Sequence, residues 1–349
     1  MLACALVLAL VPAAGCSSIG YYFQAVSGQM ELTRKAQPIS KVVADPGTGA
    51  ELKAKLESVV EMRDFASREL HLPDNGSYRS YADIGRPYVV WNVFAAPEFS
   101  VKPKEWCFLF AGCVGYRGYF SKAGAEQFAS ELRAQRYDVF VGGVPAYSTL
   151  GWLDDPVLNT FVQYPDADIA ELIFHELAHQ LVYVQGDSTF NESFAVTVER
   201  EGVDRWLAAH GSDAQRRAFE QEQVRRQAFA ELVASYRDRL AQLYAEPRDA
   251  QRMRARKEEL LAQMREEYGR LKQSWDGFVG YDHWFEQPLN NAQLASVTIY
   301  TQLVPAFQRI LHESGGDLQR FYAEAKRLAA LPKAQRDAEL ASLLDRSSG

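Results

Sequence analysis

The sequence predicts an α+β protein that is mainly helical. A small N-terminal β-sheet is expected next to one motif-bearing helix, and a charged helical hairpin toward the C-terminus. Three observations carry this. Short aromatic and β-branched runs separated by turn signals occupy residues 72–120. The stretch Phe174-His175-Glu176-Leu177-Ala178-His179-Gln180 sits in a segment with helical periodicity. Dense charge overlies two helically spaced apolar stripes in residues 213–273. With 349 residues, 47% hydrophobic and 24% charged, there is material for one large or two moderate cores. A net charge of −7 and a pI near 5.5 exclude the basic footprint of a nucleic-acid binder.

At the N-terminus, residues 2–14 are an apolar run too short to span a membrane and the right length for an export signal. The run ends in Ala13-Ala14-Gly15-Cys16, which resembles a bacterial lipobox. That resemblance implies a signal peptide over 1–15, a lipid on Cys16 that holds the protein to a membrane, and a tether over 16–50. A plain signal peptide cleaved nearby, or a buried strand, are the alternatives. Ser17 resembles the outer-membrane sorting pattern of Gram-negative lipoproteins, so the expected location faces the periplasm. Cys4 falls within the signal. Cys107 and Cys113 remain as an even pair in an oxidising compartment, read as a disulfide closing a tight hairpin or as two free buried thiols.

Residues 51–165 read as an α/β subdomain with the sheet and a substrate-side loop. An amphipathic helix covers 51–70, strands cover 88–95, 106–111 and 114–120, and a helix capped by Ser121 covers 121–136. A short β-rich run over 137–144 precedes a long irregular segment, 145–161, whose aromatic content points to a functional loop. Residues 166–212 hold two helices. The first starts at Asp166 or Asp168 as N-cap and runs to about Val184, burying Ile169, Ile173, Leu177 and Val184. The second covers about 190–210. Glu246-Pro247 breaks 213–273 into a hairpin with solvated charged faces or a partner-docking surface. Residues 274–349 follow as a helical part, with an aromatic loop at 281–287, helices over 290–312 and 317–331, and a polar tail.

The chemistry concentrates in H-E-x-x-H. On a helix, residues four apart lie one above the other, so His175 and His179 can grip one metal ion. Glu176, beside them, can take a proton from a water on that ion. With six histidines in the chain, a chance match is on the order of one in a hundred. One zinc ion needs a third protein ligand. Val182 and Gln185 stand where the metzincin continuation requires Gly and His, so that solution is absent. Glu192 on the next helix is the candidate, although Thr189-x-x-Glu192 also reads as a capping box. Glu199, seven residues on and on the same face, is a rival ligand or an acid that orients a histidine.

His175-Glu176-x-x-His179 followed by Asn191-Glu192-x-Phe194-Ala195 resembles the gluzincins, whose aminopeptidase branch carries a similar Asn-Glu-x-Phe-Ala. The whole chain resembles a family of bacterial zincin lipoproteins described as predicted aminopeptidases. The likeness extends to residues 111–120, Tyr147-Ser148-Thr149-Leu150-Gly151-Trp152 and Asn290-Asn291-Ala292-x-Leu294. It implies a zincin-like fold and zinc-dependent hydrolysis of a peptide substrate. Two departures stand out: the gap from His179 to Glu192 is short, and the Gly-x-Met-Glu-Asn stretch that holds a substrate's free amino terminus is absent. Exo- and endopeptidase modes both stay open. The resemblance also implies an oxyanion donor from the C-terminal part, with Tyr281 ranked before His283 and Tyr300. It makes 137–152 a substrate-pairing edge, with Tyr147, Ser148 and Thr149 as substrate-binding candidates. Arg117, among glycines and tyrosines, is a candidate for a substrate carboxylate or phosphate, or for a structural ion pair. A non-catalytic lipoprotein that docks a partner on 213–273 is the competing class, and the intact Glu176 argues against it.

Overall fold

Residues 166–210 hold two helices packed against each other. The structure, a computed structural model, describes residues 14–108, 112–247, 249–298 and 302–345. The apolar run before residue 14 and the candidate Tyr300 lie outside the described residues.

The segment expected as a tether is largely helical. Helix α1 (Ala14–Lys35) packs on the sheet because Gln24 bonds the Gly118 carbonyl and the Phe120 amide at 3.3 and 3.0 Å. Glu31 pairs with Arg86 at 2.9 Å, and Leu32 is buried. Strand β1 (Gln37–Pro38) and helix α2 (Ile39–Ala44) lead to α3 (Ala50–Arg68). That helix buries Leu56, Val59, Met62 and Phe65 at helical spacing. Among them sits Arg63, fully buried, donating to the carbonyls of Ser77 and Pro73 and to the Ser67 hydroxyl. A guanidinium saturated this way fixes the loop over residues 73–79.

Strand β2 (Ser80–Ala82) joins β1 and, in parallel, β8 (Val157–Leu158), which interrupts the otherwise irregular segment before the motif helix. The main sheet has the order β6–β3–β7, built from β3 (Val90–Pro97), β6 (Tyr116–Tyr119) and β7 (Tyr137–Val144), all antiparallel. Between β3 and β6, β4 (Trp106–Phe108) and β5 (Gly112–Val114) form a separate hairpin, closed by a Cys107–Cys113 disulfide. Strand β3 is buried from Val90 to Ala96 because both faces are covered. On one face lies α4 (Lys122–Ala134), whose Ser121 cap accepts from the Gly124 amide. On the other, Phe94 and Ala96 meet Ala292.

The motif helix α5 (Asp166–Leu181) buries Ile169, Ile173 and Leu177 as expected but ends before Val184, because Val182 turns extended. Neither Asp166 nor Asp168 is the N-cap. Pro165 holds that position, and both acids lie in the first turn, favourable to the helix dipole; Asp166 also takes Lys55 at 2.7 Å. Helix α6 (Ser188–His210) is capped by Asp187, whose side chain accepts from the Phe190 amide. The capping box on Thr189 and Glu192 is therefore not used. Arg336 and Lys333 converge on Asp187, so the local cap pattern is overruled from the far end of the chain. At Gly202 a Cβ would lie 2.7 Å from the Phe174 ring, so the glycine lets α6 press against α5.

Helices α7 (Asp213–Ala245) and α8 (Ala250–Ser274) form the hairpin. It is tied to the sheet directly by Lys257, at 2.5 Å from Asp138, and indirectly by Tyr244, which donates to Asn291, whose backbone amide in turn donates to Asp138. After a short helix α9 (Asp282–Glu286), the expected 290–312 helix is two helices, α10 (Asn291–Thr298) and α11 (Val304–Glu313), the second with proline in its first turn. Helix α12 (Leu318–Ala329) follows, and the polar tail is itself a helix, α13 (Lys333–Asp345), which buries Leu340 and Arg336. Among the described residues no helix is long and apolar enough to cross a membrane.

Candidate metal centre

Helix α5 puts His175 and His179 one turn apart, with the two Nε2 atoms 3.1 Å from each other. From α6, Glu192 Oε2 lies 3.2 Å from His175 Nε2 and 3.7 Å from His179 Nε2. These three side chains form a group able to hold a metal ion, their ligand atoms all within 4.8 Å of one another. Tetrahedral bonds of about 2.0–2.1 Å set donors roughly 3.3 Å apart, so the spacing fits one small cation such as zinc. Two imidazole nitrogens that face each other at this distance also need a proton or a cation between them.

The turn that sets this geometry is short and fully used. Asn191, buried on the first turn of α6, accepts from the Val184 amide at 2.7 Å and donates to the Val184 carbonyl at 2.8 Å. Gly186, at φ +78°, completes the reversal, and the β4–β5 hairpin sits on it. A Cβ on Gly112 would lie 2.6 Å from the Gly186 nitrogen.

On the other side of its ring, His175 places Nδ1 2.5 Å from Glu199 Oε2. Burial pushes the His175 imidazole down, but Glu199 and Glu192 outweigh it and raise it well above the ordinary value. Burial likewise pushes Glu192 up, yet His179 and His175 hold it far below the usual carboxylate range. Glu199 is raised by burial, only partly offset by His175. The pocket thus carries a field that favours positive charge at the convergence of the three side chains.

Glu176 faces a cleft of about 460 Å³ together with His175 and Glu199. Three other elements contribute to it: the end of β7 and its continuation (Val144, Pro145, Ala146), α6 through Val196 and Arg200, and α7 through Arg226, Gln227 and Ala230. Strand β7 is the edge of its sheet. Asn290 donates to the Val139 carbonyl, which marks the side of β7 that faces away from β3; Val141 and Gly143 turn to the same side.

The remaining predicted residues fall in varied places. Tyr281 stacks on Phe229 of α7 at 4.2 Å, inside the hairpin's aromatic cluster, and is pushed up to about 12 by burial. His283 is exposed and paired with Glu286. Ser148 and Thr149 turn inward, with the Ser148 hydroxyl and Thr149 amide donating to Asp155, while Tyr147 packs on Phe120. Arg117 stacks over Tyr21 and Phe128. Cys16 lies in α1, and its side chain is outside the described part.

Several residues at the site were not anticipated. Arg226 Nη1 lies 2.6 Å from both oxygens of Glu171, one turn before His175. Tyr183 sets its ring edge-on to His179, 6.3 Å away, and Glu192 adds to the burial that raises its phenol. Tyr78 is buried with no partner for its hydroxyl among the described residues; burial, then Glu176 and Asp155, push it well up. Glu171 and Tyr183 stand four residues from His175 and His179, and that spacing was available in the sequence. Tyr78 and Arg226 come from distant segments and carried no local signal.

With this geometry in place, comparison with known proteins gives the family. A family described as "Putative aminopeptidase" matches residues 20–340, and the chain belongs to it. No curated protein and no solved structure matches the chain. Family membership indicates a hydrolase of the peptidase kind acting on peptide substrates.

Proposed function

We propose that this protein is a zinc-dependent aminopeptidase with a zincin-like site. The observation that carries the proposal is the convergence of His175, His179 and Glu192 at the edge of a cleft that Glu176 also lines. The ion would be held by those three side chains, and when bound it supplies a Lewis acid and a water of lowered pKa. With the ion in place, Glu176 would take up a proton at its carboxylate and deliver it to the leaving amine. Glu199 holds Nδ1 of His175, which fixes the tautomer that leaves Nε2 for the metal. Val141 and Gly143 on the β7 edge offer backbone groups to an extended peptide. We assign the hydrogen bond to the developing oxyanion to Tyr183 rather than Tyr281, on the strength of its ring contact with His179. Helix α7 contributes to the cleft, so the hairpin serves the site in addition to any surface it offers a partner. In the same reading Cys16 carries a lipid anchor, with the enzyme facing the periplasm on the outer membrane.

The test measures zinc content and peptide hydrolysis in wild type and Glu176→Gln. Both proteins should bind one zinc ion. Wild type should cleave unblocked peptides, and the variant should lose about 10²–10⁴-fold in rate. Peptides with an acetylated amino terminus should be poor substrates; equal cleavage would make the enzyme an endopeptidase. Zinc-loaded wild type that cleaves no peptide in a broad library would end the peptidase reading.

A further inference from the structure

Arg200 lines the cleft, and the acid that feels its charge, Asp204, stands one turn further along α6 without forming an ion pair with it. Arg200 has no hydrogen bond or ion pair among the described residues, and its Nε is buried without a partner. The other cleft arginine, Arg226, is paired with Glu171 and Glu222. A half-buried guanidinium has given up hydration, and without a carboxylate in hydrogen-bond contact its rigid fork of donors stays unmatched. Arg200 also lines a second cavity of about 700 Å³, which shares Gln227 and Ala230 with the first. It therefore stands where the cleft beside the metal centre continues into further space.

Its place on α6 gives a distance. Glu192, Val196 and Arg200 fall four residues apart on one stripe of the helix, so Arg200 lies about 12 Å along the axis from the predicted ligand. An extended peptide advances roughly 3.3–3.6 Å per residue, so this is a span of three to four residues, less whatever the long side chain reaches back. We propose that Arg200 is an anion subsite that binds a substrate carboxylate within about four residues of the scissile bond. This makes the substrates short peptides that carry a free C-terminal carboxylate or an acidic side chain at that distance. The inference rests on the peptidase reading above.

The experiment uses zinc-loaded full-length protein and paired tetrapeptides with free amino termini. One pair differs in a C-terminal carboxylate against an amide, the other in Glu against Gln at the third residue. Wild type should prefer the charged member of at least one pair by roughly ten- to hundredfold in kcat/KM. Arg200→Gln should bring that ratio to about one, and Arg200→Lys should keep an intermediate preference. The pair that responds identifies the source of the carboxylate. The same pairs are titrated calorimetrically against Glu176→Gln with and without Arg200→Gln, so that binding is read even if no peptide is cleaved. The subsite is refuted by a wild-type protein that does not distinguish either pair, or by an Arg200→Gln loss equal for charged and neutral members. Failure of hydrolysis with intact discrimination in binding would refute the peptidase reading and keep the subsite.

Discussion

His175 is held between two carboxylates: Glu199 meets its Nδ1 at 2.5 Å, and Glu192 stands 3.2 Å from its Nε2. The two acids occupy opposite sides of one ring, so they should not behave alike. Glu192→Gln removes one of the three proposed ligands and should abolish stoichiometric zinc binding. Glu199→Gln should weaken zinc by about 10–100-fold while leaving one ion per chain. Competition against a chromophoric chelator reads both. Equal loss in the two variants would make Glu199 a direct ligand.

Asp155 is 1% exposed, and burial pushes its carboxyl up to about 6 from the ordinary 3.8, although Thr149 and Ser148 donate to it and oppose the shift. Its folded value lies above its unfolded one. The stability tied to the protonated form is fully present below about pH 3.8 and is lost as pH rises through about 6. Asp155→Asn should remove that slope. In urea unfolding, the stability difference should move in the variant's favour by about 1–2 kcal/mol between pH 5 and 7.5. A difference that stays flat, or moves the other way, refutes this.

Arg336 is 3% exposed and donates to Asp187 at 2.7 Å, tying α13 to the start of α6. Although burial pushes Asp187 up, Arg336 and Lys333 keep its carboxyl below the usual range. Arg336→Leu should cost about 3–5 kcal/mol, since it leaves a buried carboxylate with the Phe190 amide and one exposed lysine, Lys333, to offset its charge. Adding Asp187→Asn should recover part of the loss. Chemical denaturation of the single and double variants tests the coupling, and strictly additive losses would argue against it.

The Tyr78 hydroxyl is buried without a partner among the described residues, so Tyr78→Phe should leave stability unchanged or raise it by up to about 2 kcal/mol. A loss above about 1 kcal/mol would mean that the hydroxyl makes a bond in solution.

How much of this was legible depended on how local the signal was. The strand over 137–144, the Ser121 cap and the spacing of His175, His179 and Glu192 could all be read, because propensity, capping and helical period act within a few residues. Arg226 could not. Helical periodicity separates the apolar face of 213–273 from its charged face, but it cannot say which charged residue meets Glu171, 55 positions away. The start of α6 shows the same limit. Thr189-x-x-Glu192 and Asp187 both satisfy capping chemistry, and the choice is made by Arg336. Tyr281, the first-ranked oxyanion donor, has its ring stacked on Phe229, a contact that no local pattern announces. The polar tail shows no strong stripe and still forms α13, with Leu340 and Arg336 buried.

The Val182–Asp187 turn also sets where the chain can be re-engineered. Surface loops normally accept a tag, a spacer or a cut, because their backbone groups are bonded to water. Here the Val184 amide and carbonyl are both engaged by Asn191, and Gly186 lies against Gly112 of the disulfide hairpin. A single inserted residue would rotate α6 against α5 and carry Glu192, Glu199 and Arg200 away together. The largely exposed Asp45–Gly49 turn bonds, among the described residues, only within itself and to the helices it joins, the Gly47 and Thr48 amides donating to Asp45, and is the place to graft a label or a linker.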